Sequence, residues 1–176
     1  MPFLRTMMLA VAAALAAGCS AIYPDSAQEV SVEWAAPGAL VMPGARGVRV
    51  GTASIIGNDA DATSLAVTLG LGQHGDADVV TLGLRAVLGL ELLTLGWGRT
   101  PPEWSRYVSA AVGIGAGLVY SGDEDGGFGG YVETEAALTC RLAVGCVLAA
   151  GYRGTVYAAR ECGGSHGPFV RLGLNF

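Results

Sequence analysis

Apolar side chains recur at every second position along most of this chain, which is the period of a β-strand with two different faces. Segment 108–120 shows the pattern best, because Val112 and Ile114 belong to an apolar series that alternates with Gly113 and Gly115. The same period predicts strands over 28–34, 46–56, 64–72, 79–95, 108–120, 131–142, 146–157 and 168–176. The pattern therefore predicts an all-β fold of about eight antiparallel strands, in the range typical of small barrels.

The length of these strands is sufficient to cross a membrane. Segment 108–120 would extend about 40 Å at about 3.3 Å per residue, enough for an apolar band of about 25 Å when tilted. The small residues on its second face suit the narrow interior of an eight-stranded barrel, which leaves no aqueous channel. We therefore predict an antiparallel up-and-down transmembrane β-barrel.

Segment 79–95 allows other interpretations, because it is long and apolar. A transmembrane helix is disfavoured by Arg85, Glu91 and the glycines that begin at Gly83. A single long strand fits the period of two, although a tight turn near Gly89 would divide it into two short strands. The predicted strand count depends on this choice.

Composition excludes several classes of protein. The 176 residues allow one domain, and a chain that is 52% hydrophobic and only 14% charged is not disordered. The 28 glycines disfavour a helical bundle, since glycine weakens helices. A net charge of −5, with no lysine, gives no support for nucleic-acid binding. No motif indicates a metal or another cofactor.

The N-terminus predicts export. Residues 1–18 have the features of a signal peptide, with Arg5 preceding an apolar segment over 7–17 that is too short to span a bilayer as a helix. The sequence Leu15-Ala-Ala-Gly-Cys19 resembles a bacterial lipobox, which implies lipidation of Cys19. An ordinary cleavage site beside a chance cysteine is the alternative. Residues 19–27 would form a lipidated tether, and 28–176 the barrel.

The last strand carries a further resemblance. Residues 169–176 alternate apolar and polar positions and end in Phe176, which resembles the C-terminal assembly signal of outer-membrane β-barrels. The run Ala149-Ala-Gly-Tyr-Arg-Gly154 resembles the penultimate hairpin of small barrels of the OmpA/OmpX type. The resemblance implies an outer-membrane location, surrounding outer-membrane lipid and insertion by the barrel-assembly machinery. It is a resemblance of shape and implies no activity.

The polar face of the strands carries most of the charge. If the apolar face contacts lipid, an interior ion-pair network is expected from Arg85, Glu91, Glu133, Glu135, Arg141, Arg153 and Arg171. The alternative treats Glu133 and Glu135 as an acid/base pair, because they lie two residues apart on one face of a strand. No other residue supports catalysis there, so we favour the structural network.

Cysteines and loops supply the remaining candidates. Cys140 and Cys146 flank a predicted turn over 142–145 and are candidates for a disulfide in an oxidising compartment. Cys162 would then be unpaired or would join a partner protein. The acidic loop 121–127 is a second candidate surface for a protein partner. It lacks the spaced ligands of a calcium loop.

Three functional classes remain open. A structural or interaction barrel fits the sequence best, and no specific activity follows from it. A lipidated periplasmic carrier of lipocalin shape is the alternative, although the charged second face argues against an apolar cavity. A lipid-modifying enzyme at the barrel rim would use Ser165 and His166, but adjacent residues on a strand point to opposite faces. We therefore expect no catalytic activity.

Overall fold

A computed structural model of the protein describes residues 27–57, 62–95, 106–122, 127–143, 145–158 and 162–175. The predicted signal peptide, the candidate lipidation site Cys19 and the terminal Phe176 lie outside these residues. No helix in the described part of the chain is long and apolar enough to cross a membrane. The strands are β1 (Ala27–Ala35), β2 (Arg46–Gly57), β3 (Ala62–His74), β4 (Ala77–Leu95), β5 (Arg106–Ser121), β6 (Phe128–Ala143), β7 (Cys146–Ala158) and β8 (Cys162–Asn175).

The strands form one closed barrel in which each strand pairs antiparallel with its neighbour in the chain. The barrel closes between β8 and β1, where Arg171 lies opposite Glu33. The predicted antiparallel up-and-down barrel of eight strands is therefore confirmed. Segment 79–95 lies within the single strand β4, with an irregularity between Glu91 and Leu93 rather than a turn near Gly89.

The stagger of the strands sets the width of the lumen. Paired residues followed around the barrel from Ser31 reach Gly163 on β8, whereas β8 pairs Gly173 with Ser31. This offset, 173 − 163 = 10 residues, is the shear of the barrel. In barrels of this size the strands tilt by about 40° and side chains fill the interior.

Alternation along each strand separates an apolar outside from a polar inside. Large apolar side chains on all eight strands are exposed, and Leu84 and Ile114 are 59% and 60% exposed. Small, hydroxyl-bearing and charged side chains face inward and are buried, Thr68, Thr81 and Arg153 among them. This distribution is the reverse of that in a water-soluble domain.

The connection between β1 and β2 enters the lumen instead of lying on the surface. Within this segment, residues 36–45, the side chains of Ala39, Leu40 and Val41 are fully buried. They pack against Val79 and Tyr131 on the barrel wall. We call residues 36–45 the plug. It fills the end of the barrel opposite the chain termini, and the strand pattern did not predict it.

Strand β8 begins at Cys162, earlier than the predicted residue 168, and includes Pro168. The Pro168 carbonyl accepts a hydrogen bond from the amide of Ala36, just past the end of β1. The N–H and C=O of a strand residue point to the same side of the strand. An N–H at position 168 would therefore have pointed in the same direction as the carbonyl, beyond the end of β1. Proline is therefore tolerated in the strand at this position.

Candidate functional site

Seven charged side chains from six strands meet in the middle of the lumen. Each is less than a tenth exposed: Glu33, Arg49, Arg85, Glu133, Glu135, Arg153 and Arg171. The structure thus brings together five of the seven residues predicted for an interior network. The side chains of the other two, Glu91 and Arg141, lie outside the described part of the molecule.

Glu33 and Arg49 are members that the sequence analysis missed. Both positions carry the signal that identified the others, because Glu33 alternates with Val32 and Trp34, and Arg49 lies between Val48 and Val50. Arg49 and Glu33 also lie opposite each other in the β1–β2 ladder. They were missed because the alternation was not followed through to the charged positions of these two segments.

Glu33 is the most heavily used acceptor of the network. Arg153 donates from Nη1 to Oε1 at 2.6 Å and from Nη2 to Oε2 at 2.8 Å. Arg171 donates to the same Oε2 from Nε at 3.1 Å and from Nη2 at 2.9 Å. Arg85 adds a longer hydrogen bond of 3.3 Å to that atom. One carboxylate therefore accepts hydrogen bonds from three guanidinium groups, on β4, β7 and β8.

The other two carboxylates extend the network across the lumen. Glu135 accepts from Arg153 at 2.6 Å and from Arg171 at 2.9 Å. Glu133 accepts from Arg49 at 2.8 Å, which joins β6 to β2 on the opposite wall of the barrel. An ion pair of 3.6 Å between Arg153 Nε and Glu133 connects this pair to the rest. The network therefore cross-links the barrel interior from wall to wall.

Arg153 also connects the network to the plug and to an aromatic ring. Its Nη1 donates to the Ala39 carbonyl of the plug at 3.3 Å. Its guanidinium carbon lies 4.5 Å from the centre of the Phe169 ring, and that of Arg171 lies 5.0 Å from it. Cation–π contacts of this kind are strongest when they are desolvated, as they are here.

Glycines on β5 provide the space for the two β6 carboxylates. Gly113 lies opposite Glu135 in the ladder, and Gly115 lies opposite Glu133. A Cβ atom at Gly113 would lie 2.9 Å from Glu135 Cγ, and one at Gly115 would lie 3.0 Å from Glu133 Cγ. The small residues that alternate along this strand therefore serve a packing role, which is to admit long charged side chains.

The variant Gly115→Ala tests that role. We expect it to lower the free energy of unfolding by about 1–3 kcal/mol, because the added methyl group overpacks the lumen and displaces Glu133. The matched control is Gly130→Ala on β6, where a Cβ would lie an ordinary 3.7 Å from the Gly117 carbonyl oxygen. Urea titration of both refolded variants measures the difference, and equal midpoints would contradict the packing role.

The geometry does not favour acid/base chemistry at Glu133 and Glu135. Both carboxylates are buried and directed at arginines, with no open position for a substrate. No group of three or more His, Cys, Asp and Glu side chains in the described ranges could hold a metal ion.

Ser165 and His166 lie on opposite faces of β8, so the structure does not bring them together. Ser165 faces inward, donates to the Gly38 carbonyl at 2.6 Å and lies 3.0 Å from the Val41 carbonyl oxygen. His166 is on the outside, where its Nδ1 forms a hydrogen bond with the Tyr152 hydroxyl. The serine holds the plug in place and is not activated by the histidine.

The structure differs from the expected disulfide between Cys140 and Cys146. In the β6–β7 hairpin Ala143 pairs with Cys146, and Gly145 has φ 71°. The register shifts between Arg141 and Ala143 and places Cys140 opposite Leu148, so the two cysteines are diagonal rather than facing. No disulfide joins the cysteines in the described residues, and Cys162 is exposed at the start of β8. This register differs from the one that the predicted turn over 142–145 would give.

What fills the lumen is also relevant to the alternative that the protein is a lipocalin-like carrier. A lipocalin-like carrier requires an apolar cavity for its ligand. Here the plug fills one end of the lumen and the ion-pair network occupies its middle. The described interior therefore favours a packed barrel over a ligand carrier.

Comparison with known proteins supports the barrel fold and indicates no particular activity. No family model matches the chain, and no curated protein matches its sequence. A crystal structure of neisserial surface protein A aligns with 85% of this chain and 94% of its own, with a TM-score of 0.52 and 13% identity. At such low identity the similarity shows a shared architecture alone. The chain shares the eight-stranded barrel fold of that surface protein.

Proposed function

We propose that the protein is a bacterial outer-membrane β-barrel lipoprotein with a structural or interaction role. Its strands cross the membrane, and both termini lie on the periplasmic side. The belt of exposed apolar side chains on all eight strands carries this proposal. In water such a surface would drive aggregation, whereas in a bilayer it contacts acyl chains.

The exposed charge in the described part of the chain lies away from the apolar belt. Among the described residues, the exposed charged side chains are Arg46, Asp76 and Asp78. All three lie at the end opposite the termini, beside the turns that join the strands there. Charge at one rim and apolar residues between the rims is the pattern expected of a membrane-spanning barrel.

The packed lumen limits what the barrel can do. In the described part of the chain the plug and seven charged side chains occupy the lumen, so transport is not part of the proposal. Its working surfaces would be the loops opposite the termini. We propose that these loops contact other envelope components, with Cys162 and the acidic loop 121–127 as candidate contact sites.

Attachment and insertion complete the proposal. A diacylated Cys19 would anchor the N-terminus, since two acyl chains give stable membrane attachment. The terminal Phe176 would be presented to the barrel-assembly machinery. The similarity to a neisserial protein whose name describes it as a surface protein supports this location.

Extraction of membranes with alkaline carbonate tests the proposal, using the full chain and its Cys19→Ala variant. An embedded barrel stays in the membrane pellet in both forms and migrates differently on gels when unboiled and boiled. Release of the Cys19→Ala variant into the supernatant would instead show a soluble barrel held by its lipid. Loss of metabolic palmitate labelling in that variant checks the anchor separately.

A further inference from the structure

The plug is held in the lumen at a conformational cost. Val41 has φ 76°, a region that β-branched residues rarely adopt. The amide of Met42 donates to the Leu40 carbonyl at 3.0 Å, which closes a tight three-residue turn around Val41. Strained backbone of this kind persists where the surroundings enforce it and concentrates at functional sites.

The wall beneath the plug is polar, and several of its groups have no partner. The Thr81 and Tyr131 hydroxyls and the Nε and Nη2 atoms of Arg49 are buried without a hydrogen bond. Arg49 uses only Nη1 for its contact with Glu133. Each unpaired buried group costs about 1–3 kcal/mol. The plug therefore packs beside the Thr81 and Tyr131 hydroxyls without satisfying them.

Leu40 shows the mismatch most directly. Its side chain lies over Gly70 and Gly72 of β3. A Cβ atom at Gly70 would meet both Leu40 Cδ1, at 3.1 Å, and the Thr81 hydroxyl. Leu40 thus occupies a notch above Gly70, beside the unpaired Thr81 hydroxyl. Gly70 lies opposite Arg49 in the β2–β3 ladder. A ligand with hydrogen-bond acceptors would suit this notch better than leucine does.

We propose that the plug is an exchangeable occupant of an oxyanion-binding cup at the end of the barrel opposite the termini. When residues 36–45 move aside, the unpaired atoms of Arg49, Thr81 and Tyr131 become available to a phosphate or carboxylate group of a small solute. The network holds four arginines and three glutamates, and this excess of positive charge favours an anion. The ion-pair network closes the cup below, so the solute binds and does not pass through.

Binding of inorganic phosphate to the refolded full chain tests this inference, with chloride at equal ionic strength as the reference. Phosphate is expected to raise the unfolding midpoint, since a ligand that binds only the folded state stabilises it. Tyr131→Phe and Thr81→Val remove hydroxyls that have no partner, so both variants should fold normally. Each should weaken phosphate binding about tenfold, as the loss of one hydrogen bond predicts.

A separate experiment, cysteine labelling, measures whether the plug moves. In a background where the native cysteines are replaced by serine, Ala39→Cys places a thiol at a fully buried plug position. Phosphate should accelerate its labelling by a maleimide, while Ala149→Cys, buried on the wall, should not respond. No phosphate response beyond that of chloride, unaltered binding in both hydroxyl variants, or Ala39→Cys labelling unaffected by phosphate would overturn the proposal.

Discussion

The variant Glu33→Gln is expected to lower the free energy of unfolding by about 3–5 kcal/mol, the cost of removing one partner from a buried ionic network. Glu33 is 2% exposed and accepts hydrogen bonds from Arg85, Arg153 and Arg171. Glutamine keeps the shape of the side chain but loses its charge. Three buried guanidinium groups would then share the remaining carboxylates, chiefly Glu135.

The matched comparison is Glu133→Gln, the same chemical change at another buried position. Glu133 accepts hydrogen bonds from Arg49 and has a longer contact of 3.6 Å with Arg153. We expect this variant to be destabilised as well, but less than Glu33→Gln. Urea unfolding of both barrels, refolded in lipid vesicles, gives the two free energies. A loss at Glu33 no larger than that at Glu133 would refute its central role in the network.

The period of two was sufficient to predict most of the barrel. On β5 and β6 it placed Ile114 and Val132 outside and Glu133 and Glu135 inside, because the side chains of a strand alternate without exception unless a bulge intervenes. The same rule applied to 28–34 and 46–56 would have included Glu33 and Arg49. Those two residues were predictable from the sequence, since their inward positions follow from their neighbours.

The plug was not predictable in the same way. The run Ala39-Leu-Val-Met42 is apolar, has no strand period and lies between two Pro-Gly pairs. An apolar run in a connection is a signal of burial, because connections normally lie on the polar surface. Whether it enters the lumen depends on the shear of the barrel and on the space above Gly70 and Gly72. These are properties of the closed barrel and not of any one segment.

The register of the β6–β7 hairpin could not be predicted from the sequence either. A turn of two residues and one of four both fit the residues around Gly145, and they place Cys140 opposite different partners. Hairpin register is fixed by turn geometry, which depends on the φ of single residues. A direct pairing of Cys140 with Cys146 would need a still longer turn, over residues 141–145.

The variant Ile114→Arg distinguishes an embedded barrel from a soluble one. Ile114 lies near the middle of β5, faces outward and is 60% exposed. In a membrane, arginine at mid-depth costs about 2–4 kcal/mol because the charge must be dehydrated or must distort the bilayer. In water, the same substitution at an exposed position should change stability by no more than about 0.5 kcal/mol.

A depth control gives this prediction its specificity. Val48 also faces outward, but it lies two residues from the start of β2, beside the exposed Arg46. Because the cost of a lipid-facing arginine falls to about 0–1 kcal/mol near the interface, Val48→Arg should be tolerated where Ile114→Arg is not. Unfolding in vesicles measures both variants. A gradient between the two positions requires a bilayer around the barrel, since an aqueous surface has no depth. Equal, small effects would instead place the apolar belt against another protein or in a soluble assembly, and the proposed outer-membrane role would fail with it.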